Sequence, residues 1–314
     1  MTPPVSPPLD GVLVVDKPPG PTSHDVVARV RRACRGARVG HTGTLDPLAS
    51  GVLPLVLGRA TRLARFLSAS DKSYEATLRL GIETDTYDAE GQVVARAPDA
   101  RLGAASLPEA ADVEGALARF RGPLEQLPPP FSAKKVEGTR AYELARQQRR
   151  FALQPVPVTV HALDLVSCDG ALVRVTLTCS AGFYVRVLAH ELGRALGCGA
   201  HLAALRRTRS GDFGLDRAVA LAVAEAGPEA IAAGLVPLDA LLHRLVAARL
   251  TPRGLERTRH GRELDEDDID AWVGAGPEDD ATAPVRLLDA AGHLQAIARR
   301  RARGAPLHPG IVLV

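Results

Sequence analysis

The sequence predicts an α+β protein with a large domain over residues 10–245 and a small β-rich domain over residues 246–314. Strand-like and helix-like patterns alternate along the first part. Two alternating runs, Val156 to Val166 and Ala171 to Cys179, flank a Cys-Asp-Gly turn and predict a hairpin. From about Leu245 the composition shifts to short segments, turns and an acidic run. Residues 1–9 are rich in proline and predict a flexible tail.

The large domain begins with a buried strand, Gly11 to Val15, followed by a helix that Thr22 or Ser23 caps and that runs to about Arg35. An apolar run directly after Gly51 predicts a second buried strand. The remaining predicted elements are a helix from Arg59 to Leu67, a strand from Lys72 to Leu80, a hairpin turn within residues 81–94, and helices from Asp112 to Phe120, Thr139 to Arg149, Val187 to Leu196 and Ala218 to Ala226.

Positive charge is concentrated locally, although the net charge of the 314 residues is only +3. Such stretches suit a polyanion such as RNA. The alternative is that arginine is simply the preferred surface cation of this chain. The three basic stretches are Arg29, Arg31, Arg32, Arg35 and Arg38; Lys134, Lys135, Arg140, Arg146, Arg149 and Arg150; and Arg206, Arg207 and Arg209.

Several classes of function are disfavoured by what the sequence lacks. The four cysteines form no CxxC pair, and Cys198 to His201 has no second pair to complete a zinc site. His190-Glu191 does not continue as HExxH because position 194 is arginine. No Walker A loop, dinucleotide fingerprint, signal peptide or membrane-length apolar run is present. We therefore expect a cytoplasmic protein that uses no metal and no cofactor.

The most informative stretch is Gly40 to Gly51, GHTGTLDPLASG, which places Asp46 in a tight loop directly before a buried strand. A carboxylate aimed by such a rigid scaffold can act as a nucleophile or as an acid or base. The alternative is a turn in which Asp46 accepts backbone N–H bonds and Pro47 fixes the next φ angle.

The amino-acid sequence of this loop resembles that of the catalytic loop of the bacterial tRNA pseudouridine-55 synthases, the TruB type. Three further segments resemble the same family in the same order: Lys17-Pro18 in the opening strand and turn, Lys72-x-Tyr74, and Ser180-x-Gly182-x-Tyr184-Val185-Arg186, followed by Leu205-Arg-Arg. The resemblance covers roughly residues 10 to 215. It implies a pseudouridine synthase fold: a central mixed, mainly antiparallel sheet flanked by helices, a thumb loop inserted at about residues 121–154, and a C-terminal PUA-like RNA-binding domain.

The resemblance also implies roles for individual residues. Asp46 would be the nucleophile and Arg186 its partner, while Tyr74 would stack on the target base and is a candidate for proton removal. His41, Lys17, Lys135, Tyr184 and Leu205 would contact the RNA substrate. By residue type alone, plainer alternatives stand for five of these residues: packing for Tyr74 and Leu205, a surface cation for Arg186, and loop support for Lys17 and His41.

The predicted function is therefore isomerisation of uridine to pseudouridine at position 55, in the T loop of tRNA. The reaction is redox-neutral and needs no group donor, in agreement with the missing cofactor motifs. The predicted partner is the T stem-loop of tRNA, with no obligate protein partner, no membrane, and a monomeric state. The alternatives are a non-catalytic tRNA-binding or folding factor, and a synthase that acts on another RNA.

Overall fold

The computed structural model describes residues 9–97, 107–132, 134–136, 138–147, 151–274, 282–302 and 304–314. The predicted tail, except for Leu9, lies outside these ranges, as do Arg149 and Arg150 of the second basic stretch. The helices are α1 (Ser23–Ala33), α2 (Ala64–Ser68), α3 (Ala110–Leu117), α4 (Ala141–Arg146), α5 (Val185–Ala195), α6 (Leu221–Glu225), α7 (Pro228–Ala233) and α8 (Pro252–Arg259).

The strands are numbered in chain order. They are β1 (Gly11–Lys17), β2 (Val39–His41), β3 (Ser50–Leu57), β4 (Lys72–Leu80), β5 (Ile82–Thr84), β6 (Val93–Arg96), β7 (Gly122–Gln126), β8 (Lys135–Val136), β9 (Thr139–Arg140), β10 (Val156–Asp169), β11 (Leu172–Cys179), β12 (Ala200–Ser210), β13 (Phe213–Gly214), β14 (Val219–Ala220), β15 (Leu235–Pro237), β16 (Ala247–Leu250), β17 (Ile269–Val273), β18 (Val285–Leu288), β19 (Leu294–Arg300) and β20 (Leu307–Val312).

The large sheet has eleven strands in the order β14-β1-β3-β12-β4-β11-β10-β7, with β2, β13 and β15 paired beside β3, β12 and β1. The β1–β14 and β3–β12 pairs are parallel, and the other pairs in this sheet are antiparallel. The prediction of a mixed, mainly antiparallel sheet is confirmed. Strand β12 was not predicted from the sequence, yet it lies at the centre of this sheet.

Strands β1 and β3 are apolar on both faces because both faces of the sheet are covered. Leu13 of β1 and Leu55 of β3 pack into one buried cluster with helices α1, α3 and α5. Val12 of β1 and Val56 of β3 point to the other face, where they pack with residues of the C-terminal segment. The continuous apolar runs in the sequence therefore reflect burial on two sides.

Helix α1 begins as predicted, with Thr22 as its N-cap. The Thr22 hydroxyl accepts the backbone N–H of Asp25 at 3.1 Å, and the Asp25 carboxylate accepts the backbone N–H of Thr22 at 2.9 Å. This reciprocal capping box satisfies two donors that a helix start otherwise leaves free. Val26 and Val30 then pack into the core, which fixes the turn before the helix close to the Asp46 loop.

The C-terminal segment forms a second sheet, in the order β17-β16-β18-β19-β20. A β-rich segment was predicted here, as was the hairpin formed by β18 and β19. Arg59 Nη1 donates to the Leu313 carbonyl at 2.7 Å, and Arg62 donates to the Val312 carbonyl. Leu294 and Leu313 also share a buried cluster with β1 and β3. The boundary at residues 245/246 and the likeness to a PUA domain stay predictions.

Three predicted α-helices begin later in the structure than expected. The helix predicted from Thr139 begins at Ala141, because Thr139 and Arg140 pair with β8. Residues 58–63 form a 3-10 turn before the short α2, because the Asp10 carboxylate binds both the backbone N–H and the side chain of Arg59 and tightens this segment. The helix predicted from Ala218 begins only at Leu221, because Val219 and Ala220 pair with β1. No helix of the described residues is long and apolar enough to span a membrane.

The predicted thumb, residues 121–154, does not begin as an insertion. Gly122–Gln126 is strand β7, which pairs with β10 at the edge of the large sheet. Beyond it, β8 and β9 form a two-stranded hairpin that leads into α4. The part of this segment that can stand apart from the sheet therefore starts after Gln126.

We expect Gly51→Ala to destabilise the protein by about 2–4 kcal/mol, through backbone strain and a steric clash. Gly51 has a φ of +102°, and a Cβ there would lie 2.2 Å from the Arg207 carbonyl oxygen. Gly20 has a similar φ of +106° with nothing within 4 Å of its Cβ position. Gly20→Ala is therefore the matched control for strain alone. Urea denaturation measures both losses, and equal losses would mean that the approach of β12 contributes nothing.

Candidate active site

Asp46 lies in the loop between β2 and β3, and the main chain around it is held on both sides. The Ser23 hydroxyl accepts the Leu45 N–H at 2.8 Å and donates to the Leu45 carbonyl at 3.0 Å. The Pro47 carbonyl accepts the Gly20 N–H at 2.8 Å and the Lys17 ammonium at 3.2 Å. The start of α1 and the end of β1 thus hold the peptide groups on either side of Asp46.

The Asp46 carboxylate is paired side-on with the guanidinium of Arg186. Arg186 Nε lies 2.9 Å from Asp46 Oδ2, and Nη2 donates to Oδ1 at 3.3 Å. Within the described residues neither carboxylate oxygen accepts a backbone N–H, so the geometry does not favour the turn-cap alternative. Two contacts from one planar group fix the direction of the carboxylate as well as its position.

Arg186 itself is held by groups from three separate segments. It is the second residue of α5, and only 7% of its side chain is exposed. Its Nη1 donates to the Thr86 carbonyl at 3.2 Å and lies 3.5 Å from Asp88 Oδ2, while Nη2 donates to the Phe131 carbonyl at 3.1 Å. Arg186 is therefore a buried positioning group, and the surface-cation alternative does not fit.

The start of α5 is attached to the edge of the sheet by Gln126, a residue that sequence reasoning missed. Its side-chain Oε1 accepts the Tyr184 N–H at 2.7 Å, and its Nε2 donates to the Tyr184 carbonyl at 3.2 Å. Tyr184 directly precedes α5. Nothing in the sequence around Gln126 indicates this long-range bond.

Asp88 is a second missed residue, since the sequence predicted only a hairpin turn there. Its Oδ1 accepts the Thr86 hydroxyl at 2.6 Å and the Glu90 N–H at 3.1 Å. Its Oδ2 faces Arg186, and 5% of the side chain is exposed. The turn is attached to β12 by a bond from the Ala89 N–H to the Leu202 carbonyl at 2.9 Å. Asp88 thus brings a second negative charge to the same guanidinium.

Burial raises the pKa of Asp46 above its usual value, and the charges of Arg186 and Lys17 oppose this effect while Asp88 adds to it. The sequence led us to expect that the guanidinium keeps this carboxylate ionised. In the structure the burial effect is larger, because two carboxylates share one guanidinium in a poorly solvated place. A raised pKa is a common property of catalytic carboxyl groups.

Tyr74 lies on β4 with its ring packed against the main core cluster and close to the loop. Burial raises the pKa of its hydroxyl, and the positive charge and hydrogen bond of Arg207 oppose that rise. The negative charge of Asp46 also raises this pKa, which places the two side chains in one electrostatic environment. A neutral phenol at neutral pH suits a stacking role.

His41 and Tyr184 flank the same region. His41 Nδ1 accepts the Gly43 N–H at 3.3 Å, and its ring packs edge-on against His24 with centroids 5.5 Å apart. Burial lowers the pKa of His41, so the imidazole is neutral near pH 7. Burial raises the pKa of Tyr184, and the neighbouring Ser132 hydroxyl and Arg186 oppose this. Both side chains are half-buried.

The other three predicted RNA contacts are Lys17, Leu205 and Lys135. Lys17 is fully buried, and its ammonium donates to the carbonyls of Pro18, Pro21 and Pro47 at 2.9, 2.8 and 3.2 Å, a geometry that favours loop support. Leu205 is 8% exposed and lies in the main core cluster. Lys135 belongs to β8, and its side chain lies outside what the structure describes.

The third basic stretch is not a solvated patch. Arg206 pairs with Asp16 at 2.8 Å, and Arg209 Nε donates to the Ser73 hydroxyl at 3.3 Å. Arg207 is 1% exposed and is the largest fully buried side chain. These side chains bind other groups of the protein because β12 is a central strand, which the sequence pattern did not reveal.

No group of three or more His, Cys, Asp or Glu side chains within the described ranges is placed to hold a metal ion. All four cysteines are free thiols. The functional groups near the loop are two carboxylates, a guanidinium, a phenol and an imidazole, from Asp46, Asp88, Arg186, Tyr74 and His41. This set can supply a nucleophile, a proton acceptor and an aromatic surface.

Comparisons with known proteins agree with this arrangement. Residues 31–185 match the family described as TruB family pseudouridylate synthase, N-terminal domain, and residues 186–243 match the tRNA pseudouridylate synthase B C-terminal domain. The chain is 47% identical to the tRNA pseudouridine synthase B of Solibacter usitatus, over 82% of this chain and 86% of that protein. It is 45% identical to that of Burkholderia mallei, over 93% of each.

Solved structures show the same fold. The chain is similar to one from a Cbf5–Nop10–Gar1 complex, with a TM-score of 0.73, 26% identity, and coverage of 100% of this chain and 91% of that chain. A chain of the archaeal box H/ACA Nop10–Cbf5 complex gives a TM-score of 0.71 at 26% identity, over 98% of this chain and 86% of that chain. The predicted fold class is confirmed.

Proposed function

The chain belongs to the TruB family of pseudouridylate synthases, and from that premise we propose that it converts uridine to pseudouridine at position 55, in the T loop of tRNA, with Asp46 as the nucleophile. Relatives at 45–48% identity carry the name tRNA pseudouridine synthase B, which supports tRNA as the substrate. The position within tRNA and the role of Asp46 are the parts that need the experiments below.

One observation carries the assignment of Asp46: its carboxylate is paired with Arg186, whose Nη2 donates to Oδ1 at 3.3 Å and whose Nε lies 2.9 Å from Oδ2. About a third of the Asp46 side chain remains accessible, against 7% for Arg186. The carboxylate is thus the member of the pair that a substrate can reach. A protein that only binds RNA has no use for a partly buried carboxylate beside a phosphate polyanion, because like charges repel.

The reaction breaks the N1–C1′ bond of uridine, turns the base, and joins C5 to C1′; C5 loses its proton and the released N1 gains one. Asp46 attacks either the base or C1′ of the sugar, and the covalent adduct keeps the fragments together while the base turns. The target nucleotide must leave its loop, at a cost of about a few kcal/mol. Tyr74 stacks on the extruded uracil and is a candidate for removal of the C5 proton in its ionised form, while His41 occupies the space that the base vacates.

The remaining substrate contacts are assigned to surfaces around this loop. Tyr184 and Leu205 line the base pocket, and Lys135 on the thumb hairpin binds phosphate. The C-terminal sheet acts as the PUA-like RNA-binding domain. We propose that the protein works as a cytoplasmic monomer without an obligate protein partner, for which sedimentation of the free protein and of its tRNA complex is the direct measurement.

Two other functions remain as outcomes of the test. A non-catalytic tRNA-folding factor would keep the RNA-binding surfaces and would not need the carboxylate, the guanidinium and the phenol together. A synthase for another RNA is suggested by the structural similarity to Cbf5 from H/ACA complexes, but the similarity there is 25–26% in sequence. The higher identity to the tRNA enzymes favours tRNA.

The test is tritium release from unmodified tRNA that carries C5-tritiated uridine, with the product nucleotide mapped. We expect release and a single pseudouridine in the T loop. A tRNA with cytidine at position 55 is the matched substrate control and should release nothing. Tight tRNA binding without release would overturn the enzymatic proposal and favour the folding factor. Release from another position would keep the activity and discard position 55.

Lys17→Met distinguishes a supporting lysine from an RNA contact. The change leaves three carbonyl groups without their donor, and we expect a loss of about 2–4 kcal/mol in unfolding free energy. The kcat should fall while the affinity for tRNA and its salt dependence stay unchanged, because the ammonium is buried in the protein. Filter binding at several salt concentrations is the readout. A salt slope reduced by about one unit would show that Lys17 contacts a phosphate.

A further inference from the structure

Arg207 has a position in the sheet that no role assigned above explains. It lies on β12, between the strand that follows the Asp46 loop and the strand that carries Tyr74. Its backbone is in register with Gly51 of β3 on one side and with Tyr74 of β4 on the other. The Cβ position of Gly51 is 2.2 Å from its carbonyl oxygen, so the two backbones are in direct contact.

The Arg207 side chain reaches the main chain of the Asp46 loop. Its Nε donates to the Val52 carbonyl at 2.7 Å, its Nη2 to the Gly43 carbonyl at 3.1 Å, and its Nη1 to the Thr44 carbonyl at 3.4 Å. These carbonyls lie before and after Asp46 in the chain. One planar group therefore holds both ends of the loop at a fixed separation.

Within the described ranges, no carboxylate forms an ion pair with this guanidinium, although its side chain is 1% exposed. A buried charge without a counter-ion is costly, and an apolar side chain of similar size would stabilise the core better. Arg206, its neighbour on the strand, does have a carboxylate partner in Asp16. The cost at Arg207 indicates a function that packing alone would not require.

The positive charge also acts on the groups of the site. Burial raises the pKa of the Tyr74 hydroxyl, and the positive charge of the Arg207 guanidinium opposes this rise. The same charge contributes to the lowered pKa values of Lys17 and Lys72, each about 8, and to the lowered pKa of His41. Arg207 is thus in electrostatic contact with side chains on both sides of the loop.

We propose that Arg207 is a positioning residue for the reaction: its guanidinium fixes the Asp46 loop against β12, whose backbone pairs with β4 at Tyr74, so that the carboxylate and the ring meet the same uracil. The inference rests on the proposed function only in taking Asp46 and Tyr74 to act on one base. Arg207 does not touch the reacting atoms. It acts through the loop main chain and through Tyr74.

The test compares Arg207→Lys, which keeps the charge but loses the planar three-point contact, with Arg207→Met, which removes the charge. In single-turnover reactions with saturating tRNA we expect Arg207→Lys to lower the rate about 10²-fold, the scale of a misplacement of about 1 Å. The dissociation constant for tRNA should change by less than about twofold, since the side chain is buried. Arg244→Lys is the control, because Arg244 is 73% exposed and pairs with Asp212.

A substrate-free readout separates this inference from the proposed function. In a spectroscopic titration of the phenols we expect Tyr74 to ionise at higher pH in Arg207→Met than in the parent protein, and Tyr74→Phe identifies its transition. If Arg207→Met does not fold, the rate and affinity of Arg207→Lys still decide the question. An unchanged rate in folded Arg207→Lys would overturn the inference, as would a rate loss fully explained by weaker tRNA binding. If the parent protein releases no tritium while the Tyr74 titration shifts as expected, the proposed function is wrong, but the effect of Arg207 on Tyr74 is confirmed.

Discussion

Asp46→Asn is expected to abolish tritium release, lowering the single-turnover rate by about 10⁴-fold or more, the scale of losing a nucleophile that other groups support. Asparagine has the same shape and can still contact Arg186, but it cannot ionise or form the covalent adduct. Binding of tRNA should be retained or tightened, because a negative charge next to phosphates is removed. The measurement is single-turnover release at saturating enzyme, with tRNA affinity measured in parallel.

The stability of Asp46→Asn tests the environment of the carboxylate independently. The pKa of Asp46 is raised in the folded protein, so within the window between its usual and raised values the folded chain binds more protons than the unfolded chain. Stability attributable to this group therefore falls as pH rises through that window. At neutral pH the asparagine variant should unfold at a temperature equal to or above that of the parent.

A control for this substitution is Asp212→Asn, which changes an aspartate paired with the exposed Arg244 and should leave the rate unchanged. Release that survives in Asp46→Asn would keep the activity and discard the nucleophile. A clear loss of stability in Asp46→Asn would contradict the electrostatic account, because it would mean that the ionised carboxylate is net stabilising.

Arg186→Lys is expected to lower the rate by about 10²- to 10⁴-fold, the equivalent of the 3–5 kcal/mol that removal of one partner from a buried ion pair typically costs. Lysine keeps the charge, but a single ammonium cannot reproduce the contacts to Asp46, Asp88 and two carbonyls at once. The Km for tRNA should change little, because the guanidinium is 7% exposed. Steady-state kinetics separate the two effects.

The pH dependence of Arg186→Met shows whether Arg186 stabilises the ionised or the protonated form of Asp46. The nucleophile must be ionised, so the acidic limb of the kcat/KM profile follows the pKa of Asp46. Burial has already raised that pKa, and Arg186 opposes the rise. Without Arg186 the acidic limb should move to higher pH. A limb that moves to lower pH, or does not move in a variant with measurable activity, would show that Arg186 does not stabilise the ionised form.

The sequence indicated the chemistry through the resemblance of one continuous loop to a known catalytic loop. The order of residues from His41 to Gly51 specifies a glycine-rich turn, an aspartate and a buried strand, and these are local properties. The capping box at Thr22 is also a local property. So are the alternating patterns of β4, β10 and β11, because the residue pattern of each strand indicates which of its faces is buried.

The resemblance implied Arg186 as the partner of Asp46, but the groups that hold Arg186 and the start of α5 depended on tertiary structure. Arg186 is 140 residues away in the chain, and Asp88 and Gln126 come from two further segments. Each is an ordinary turn, strand or helix residue by its local pattern. Their role follows only when α5, the turn after β5 and the edge strand β7 are packed together.

The different environments of Arg206 and Arg207 could not be predicted from the sequence. The sequence determined that a loop with Asp46 precedes a buried strand, and that arginines cluster near residue 207. Only the placement of β12 in the middle of the sheet decided that one arginine reaches Asp16 in a half-exposed ion pair and the other is buried against the loop. Successive side chains on a strand point to opposite faces, so two identical neighbours acquire opposite environments.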